Sequence, residues 1–292
     1  MQRFLSPHEL AQTVGVSESS VKRWVDEGRL TVTRTIGGHR RIGLREALRF
    51  IRETRLPVVD PQPLGVPDLV HLKPSPAPDA DAALQEALLA GRGEEVRGLT
   101  LAMYLSGRDV AGICDGPLTA ALHRVGMLWK EGPAGIHREH RSTELCAQTL
   151  YYLGALLPTP QTQAPLALGG ALESDPYLLP SLMVATTLAS LGWRAMNLGP
   201  NLPFDALLAA VDLHSPDLVW LSCSVPVLPE QHTRALRKAA RVLADRGVEL
   251  VVGGRGWLPA SISESPLQTV RFIRTMRELA AFAEGLRIGE KK

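Results

Sequence analysis

From residue 165 onwards the chain alternates short apolar runs with segments of helical length. The runs are LALGGA (166–171), WRAMNLG (193–199), DLVWLSCS (217–224), VELVVGG (248–254) and TVRFIR (269–274). Each is too short for a helix and suits a strand buried on both faces. Between them, SLMVATTLASLG and PEQHTRALRKAARVLADRG carry a helical period. Parallel neighbours need a crossover of about a dozen residues or more, so this rhythm predicts a doubly wound parallel sheet over 165–288. Ligands of such sheets sit at the crest where strands hand over to helices. The first crest, LESDPYLLPSL (172–182), has no glycine fingerprint, histidine or cysteine; it offers Glu173, Asp175, Tyr177 and two prolines.

Upstream the period is helical throughout. DAALQEALLAG, EEVRGLTLAMYL, PLTAALHRVGMLW and REHRSTELCAQTLYYLGALL are four amphipathic segments with short breaks, which predicts a four-helix bundle over 81–158. PTPQTQAP (158–165) links it to the sheet. Residues 57–80 contain seven prolines and little periodicity, and read as an extended linker. The expected organisation is therefore multidomain, α followed by α/β.

Residues 1–56 have their own character. Up to residue 55 they hold eleven Lys/Arg against six Asp/Glu, about +5 beside about −3 for the rest of the chain. A compact basic module on a mildly acidic body is the electrostatic outline of a nucleic-acid binder. In SPHELAQTVGVSESSVKRWVDEGRL, Ser6, Pro7 and Glu9 form an S-x-x-E start with proline at the first helical position. Gly15 supplies a turn, and Ser17 opens a second helix whose Val21, Trp24 and Val25 face inward. This is a helix-turn-helix pattern. Ser19, Lys22 and Arg23 then lie on the outer side, where a recognition helix meets bases and phosphates. Gly37 and Gly38 sit between two β-prone runs and signal a hairpin, with Arg34, His39, Arg40 and Arg41 around its tip.

Other classes fit less well. The three cysteines (Cys114, Cys146, Cys223) are far apart and odd in number, which argues against a disulfide framework and for a reducing, cytoplasmic setting. No apolar run reaches the length of a membrane span, and the first residues lack the apolar core of a signal peptide. His137 and His140 stand at i, i+3 without a third zinc ligand, so no metal site is expected. No G-x-S-x-G, Walker A or H-E-x-x-H motif is present, and the chain is not expected to be an enzyme.

The basic module resembles the winged helix-turn-helix of the MerR regulator family, whose wing carries T-x-GGHR; Thr35, Gly37, Gly38, His39 and Arg40 match it. The resemblance implies binding to double-stranded promoter DNA as a dimer or larger assembly. Beyond the module, Trp129 is followed after nine residues by Glu139-His140. With the sheet behind it, this W-x9-EH spacing resembles the cobalamin-dependent light-sensing repressors of the CarH/LitR group. There a helical cap lays the Trp and the Glu-His pair over the upper face of adenosylcobalamin. LGPNLP (198–203), Ser222 and Ser224 at the end of the third strand, and VVGG (251–254) are further family-like marks. In that family the small third-strand residues and paired glycines, here Gly253 and Gly254, let the cofactor's nucleotide tail slide along the sheet.

The first crest departs from the family. Its E/D-x-H-x-x-G loop, whose His ligates cobalt, aligns with Asp175, Tyr177 and Pro180; the residue after the cap's Trp is Lys130. A neutral imidazole is a good ligand for such a metal, whereas a phenol is poor unless ionised. The expectation is a DNA-binding regulator, a repressor by resemblance, with an atypical cobalamin-type sensor module. Three states stay open for that module: cobalamin held without protein His ligation, another tetrapyrrole, or no ligand. The competing reading is a corrinoid methyl-carrier protein, which shares the bundle-plus-sheet plan but has no use for a DNA-binding module.

Overall fold

The computed structural model describes residues 3–70, 79–225, 230–257 and 270–289. The chain divides into two compact units, Met1–Thr159 and Pro160–Lys292.

The first unit opens with strand β1 (Phe4–Leu5) and helices α1 (Pro7–Val14) and α2 (Glu18–Asp26). The capping box closes as its residues dictate. Glu9 N donates to Ser6 Oγ at 3.2 Å, and Ser6 N donates back to Glu9 Oε2 at 2.6 Å. Gly15 ends α1 at φ +71°, and Ser17 caps α2 by accepting from Ser20 N. Strands β2 (Thr33–Arg34) and β3 (Arg40–Gly43) form an antiparallel hairpin, and β1 completes the sheet in the order β1-β3-β2. Helix α3 (Leu44–Thr54) follows directly. Leu5, Leu10, Val14, Val21, Leu30, Ile42, Leu48 and Ile51 are fully buried. Trp24 and Val25 are only half-buried, less inward than their spacing suggests, and Trp24 packs on Phe50 with ring centroids 4.9 Å apart.

The proline-rich segment is not extended over the part that is described. Val59 N and Asp60 N both donate to Thr13 O, Gln62–Leu64 forms a 3-10 turn, and Pro67–Val70 forms the short helix α4. Leu64, Val66 and Leu69 are buried. Asp68 accepts two hydrogen bonds from the Arg97 guanidinium, at 2.8 and 3.1 Å, and so staples α4 to the bundle. The prolines set turns and helix starts here rather than a spacer. The rest of the expected linker, 71–78, lies outside the described residues.

The bundle comprises α5 (Ala80–Leu89), α6 (Gly93–Leu105), α7 (Val110–Ile113), α8 (Thr119–Leu128) and α9 (Pro133–Leu156). A five-residue π turn, Cys114–Leu118, joins α7 to α8 and accommodates Pro117. Basic side chains of α3 and of its C-cap hold this N-terminal part onto the bundle. Arg52 donates to Tyr104 O and, at 2.8 Å, to Arg108 O, while its guanidinium lies 4.2 Å from the Tyr104 ring centroid. Arg55 donates to Ser106 O, and Arg45 donates to Ala155 O and Thr159 Oγ1, both at 2.7 Å. Residues 1–70 and the bundle therefore form one compact unit, where an extended linker between separate modules was expected.

The second unit is a five-stranded parallel sheet of order β5-β4-β6-β7-β8. Its strands are β4 (Leu166–Ala171), β5 (Arg194–Asn197), β6 (Leu218–Ser222), β7 (Glu249–Gly253) and β8 (Val270–Ile273). The helices are α10 (Leu178–Ser190), α11 (Phe204–His214), α12 (Glu230–Asp245) and α13 (Met276–Gly289). One face packs Leu168, Val219, Leu221, Leu250 and Val252 against α11 and α12. The other packs Ala167, Leu218, Trp220, Val251 and Ile273 against α10 and α13. Strand order reverses between β4 and β6, which puts the switch point at their carboxyl ends.

Candidate functional sites

In the first unit, α2 presents Ser19, Lys22 and Arg23 on its exposed side. Lys22 pairs with Glu18 at 2.8 Å and Arg23 with Glu27 at 3.8 Å, exposed i, i+4 pairs that exchange partners at little cost. The hairpin turn is closed by Thr35 N donating to His39 O and Gly38 N donating to Thr35 O, with Gly38 at φ +78°. Arg34, His39 and Arg41 are exposed around it.

Arg40 differs from the other expected DNA-contacting cations. It is only 20% exposed; one guanidinium nitrogen donates to Asp26 Oδ1 at 2.6 Å and the other to Lys22 O at 3.1 Å. It ties the hairpin to the end of α2 instead of reaching outward. The register sets Arg34 opposite Arg40, and Asp26 offsets the repulsion that two like charges meet there. Sequence reading grouped Arg40 with its neighbours because Asp26 is 14 residues away.

In the same unit, Trp129 lies in the 3-10 turn Trp129–Glu131, 60% exposed, with Met127 and Ile136 also exposed nearby in the chain. A Cβ on Gly135 would come within 1.8 Å of Leu128 O, so the first turn of α9 lies directly on the end of α8. Glu139 and His140 are in the second turn of α9, which begins at Pro133, and not at the opening of the helix. Glu139 therefore lies beyond the first turn, within which the helix macrodipole acts. Glu139 accepts from Thr143 Oγ1 at 3.1 Å and lies 3.8 Å from His140 Nε2, while the His140 ring is largely exposed. Lys130 is exposed beside Trp129. An exposed indole is suited to the face of a flat, partly polar ligand.

The crest of the second unit is built around Asp175, fully buried. Its Oδ1 accepts from Tyr177 N at 3.0 Å and its Oδ2 from Ser224 N at 2.5 Å; its own carbonyl accepts from Asn201 N at 3.0 Å. One residue thus joins the loops after β4, β5 and β6, the first and last through its carboxylate and the second through its backbone carbonyl. Burial, and then the Asp175 charge, push the Cys223 thiol up to about 11, so it is neutral and inert at ordinary pH. Tyr177 precedes α10 and is 53% exposed. Pro180 sits in the first turn of α10, where it costs the helix nothing.

The paired glycines do not leave the space expected of them. A Cβ on Gly253 would meet Ile273 O at 2.8 Å, and one on Gly254, at φ +105°, would meet Cys223 O at 2.2 Å. The chain's own backbone occupies both positions. Ser222 Oγ, by contrast, is buried and has no hydrogen-bond partner among the described residues. Among the described residues no three His, Cys, Asp or Glu side chains gather closely enough to hold a metal ion, and no helix is long and apolar enough to cross a membrane.

Residues 81–153 match the family described as the B12 binding domain. The chain is 29% identical over 257 residues to the HTH-type transcriptional repressor CarA of Myxococcus xanthus, a match covering 85% of each protein. Among solved structures, it is similar to the monomethylamine corrinoid protein of Methanosarcina barkeri. That likeness has a TM-score of 0.50 and 16% identity, and covers 70% of this chain and 96% of the other. At that identity the likeness shows the fold alone: helices followed by a Rossmann-like parallel sheet.

A B12-type cofactor fits the residues unevenly. In the first unit, the exposed indole of Trp129 suits the face of a corrin ring. At the crest, Asp175 is committed to the loops, and the exposed Tyr177 offers a phenol, a poor ligand for such a metal. The crest does not fit a cobalt ligated by the protein.

Proposed function

We propose that this protein is a DNA-binding transcriptional regulator, a repressor, whose second half is a cobalamin-type sensor module that no longer supplies a protein ligand to cobalt. One observation carries the reading: a capped helix pair with a basic outer face and a basic hairpin belongs to the same compact unit as the helices that match the B12 binding domain. The similarity to a transcriptional repressor over 85% of the chain supports the sign of regulation.

Within this reading, the outer face of α2 enters the major groove with Ser19, Lys22 and Arg23, and the hairpin reaches the adjoining backbone with Arg34, His39 and Arg41. One such module offers few phosphate contacts, so operator binding uses two or more copies of the chain. Ligand controls the relation between copies by binding one assembly better than another. Because α3 is held on the bundle by Arg45, Arg52 and Arg55, a shift of the bundle moves the DNA-binding face as a body.

Fluorescence anisotropy with DNA from upstream of the protein's own gene, at two salt concentrations, tests the reading. Arg23→Ala is expected to weaken binding roughly tenfold with a smaller salt slope. Unchanged affinity removes α2 as the recognition element. Methyl transfer from a methylated corrinoid by the purified chain would instead favour a corrinoid carrier.

A further inference from the structure

The face of the sheet under α10 can be followed layer by layer. Strand alternation puts Ala167, Gly169 and Ala171 of β4, Leu218, Trp220 and Ser222 of β6, and Val251 and Gly253 of β7 on this side. The register aligns Ala171, Ser222 and Gly253 in an upper row at the carboxyl ends. Gly169, Trp220 and Val251 form the next row down.

The upper row is small and holds the Ser222 hydroxyl, which has no partner among the described residues. The lower row is filled. Trp220 is 1% exposed, and a Cβ on Gly169 would lie 2.5 Å from its ring and 2.0 Å from its carbonyl oxygen. Gly169 is thus the residue that lets the indole cross β4. The ring is also fixed by hydrogen bonds: Trp220 Nε1 donates to Ser181 Oγ at 2.9 Å, and Ser181 Oγ donates to Asn197 Oδ1 at 2.8 Å. Trp193, fully buried, joins the same cluster.

Two residues along a strand advance about 7 Å. A ligand pushed down from the crest between β6 and α10 would therefore meet the indole about 7 Å below it. A nucleotide loop ending in a benzimidazole is much longer than that.

We propose that Trp220 is a plug that sets the ligand class of this module: a tetrapyrrole ring without a nucleotide tail threaded along the sheet, with Ser222 left to hydrogen-bond an amide or carboxylate on the ring's rim. This rests on the sensor-module reading above, and it is the point at which the chain and a tail-inserted cobalamin disagree. The indole occupies the volume, and removing it would break the Ser181 link and open a cavity of side-chain size.

The test uses the full-length chain with adenosylcobalamin and, separately, cobinamide, which has the corrin ring but no nucleotide. Retention through gel filtration, the visible spectrum and titration give the two affinities. Wild type is expected to hold cobinamide at least tenfold more tightly than adenosylcobalamin. W220G is expected to bring the ratio near one, and W220L, which keeps an apolar filling should W220G fail to fold, to move it part of the way. Wild-type protein that retains adenosylcobalamin with its nucleotide displaced from cobalt overturns the proposal. So does an unchanged ratio in a folded variant, or binding of neither corrinoid by wild type and both variants. Operator binding by the same preparations is scored separately, so that loss of the plug and loss of the regulator reading are told apart.

Discussion

Arg40 of the hairpin and Asp26 at the end of α2 are joined by a 2.6 Å charge-assisted hydrogen bond, with a second Arg40 nitrogen on the Lys22 carbonyl. The pair sets the angle between the hairpin and the helix, and it lies between two sets of exposed cations. If Arg40 acts by holding this geometry, Asp26→Ala and Arg40→Ala both weaken operator binding. The expected loss is about 1 kcal/mol each, near fivefold, because the bond is charged but Asp26 is well exposed. Simple electrostatics predicts the reverse for Asp26→Ala, since it removes a negative charge from the DNA-facing side. Anisotropy titrations of the two variants and the double mutant decide: tighter binding by Asp26→Ala makes Arg40 a direct phosphate contact.

Arg52 anchors α3 to the bundle through the Tyr104 and Arg108 carbonyls and by stacking on the Tyr104 ring. Cations near the carboxyl end of a helix are favourable, and half-buried charged donors are worth more than surface pairs. Arg52→Ala is expected to cost about 2 kcal/mol and to raise amide hydrogen exchange in both α3 and the end of α6. Arg52→Lys keeps the charge but loses the fork and the stacking, and should recover less than half. Exchange rising in α3 alone would mean that the two elements are not coupled through this residue.

Much of this was legible because it is local. The capping box is written within four residues, Ser6 to Glu9, and each strand of the sheet is a short apolar run between turn residues. What escaped depends on partners distant in the chain. Residues 57–70 look extended because prolines interrupt any period, yet Leu64, Val66 and Leu69 find burial and Asp68 finds Arg97, 29 residues on. Gly253 and Gly254 read as space for a ligand, but a glycine's vacancy says nothing about what fills it, and here Ile273 and Cys223 backbone does. Trp220 is one letter inside an apolar strand run, and only the register that sets it opposite Gly169 shows what its ring crosses.

Two glycines near Trp129 give opposite expectations. Gly135 has Leu128 O at 1.8 Å from where a Cβ would lie, whereas Gly126, within α8, has nothing within 4 Å. Gly135→Ala should push the α8–α9 turn apart, cost about 2 kcal/mol, and alter the environment of Trp129. Gly126→Ala should stabilise by about 0.5–1 kcal/mol through helix propensity alone. Thermal unfolding of both variants, with tryptophan fluorescence on Gly135→Ala, checks the pair; equal effects would mean that the close approach is relaxed at no cost.

Glu46 provides the pH test. Its carboxylate accepts from Thr31 N at 2.7 Å and from Arg49 at 2.6 and 2.7 Å, tying the segment before β2 to α3. Burial raises its pKa, but the Arg49 and Thr31 hydrogen bonds outweigh this, and the folded value lies below the ordinary glutamate range. A depressed carboxylate contributes stability above its unfolded pKa and loses it as pH falls through the folded one. Glu46→Gln keeps the size and one acceptor but not the charge. The stability gap between wild type and Glu46→Gln, measured by urea unfolding, should therefore be constant near neutrality, shrink below about pH 4.5, and close in stronger acid. A gap that persists unchanged at about pH 3 would assign the effect to packing rather than to charge.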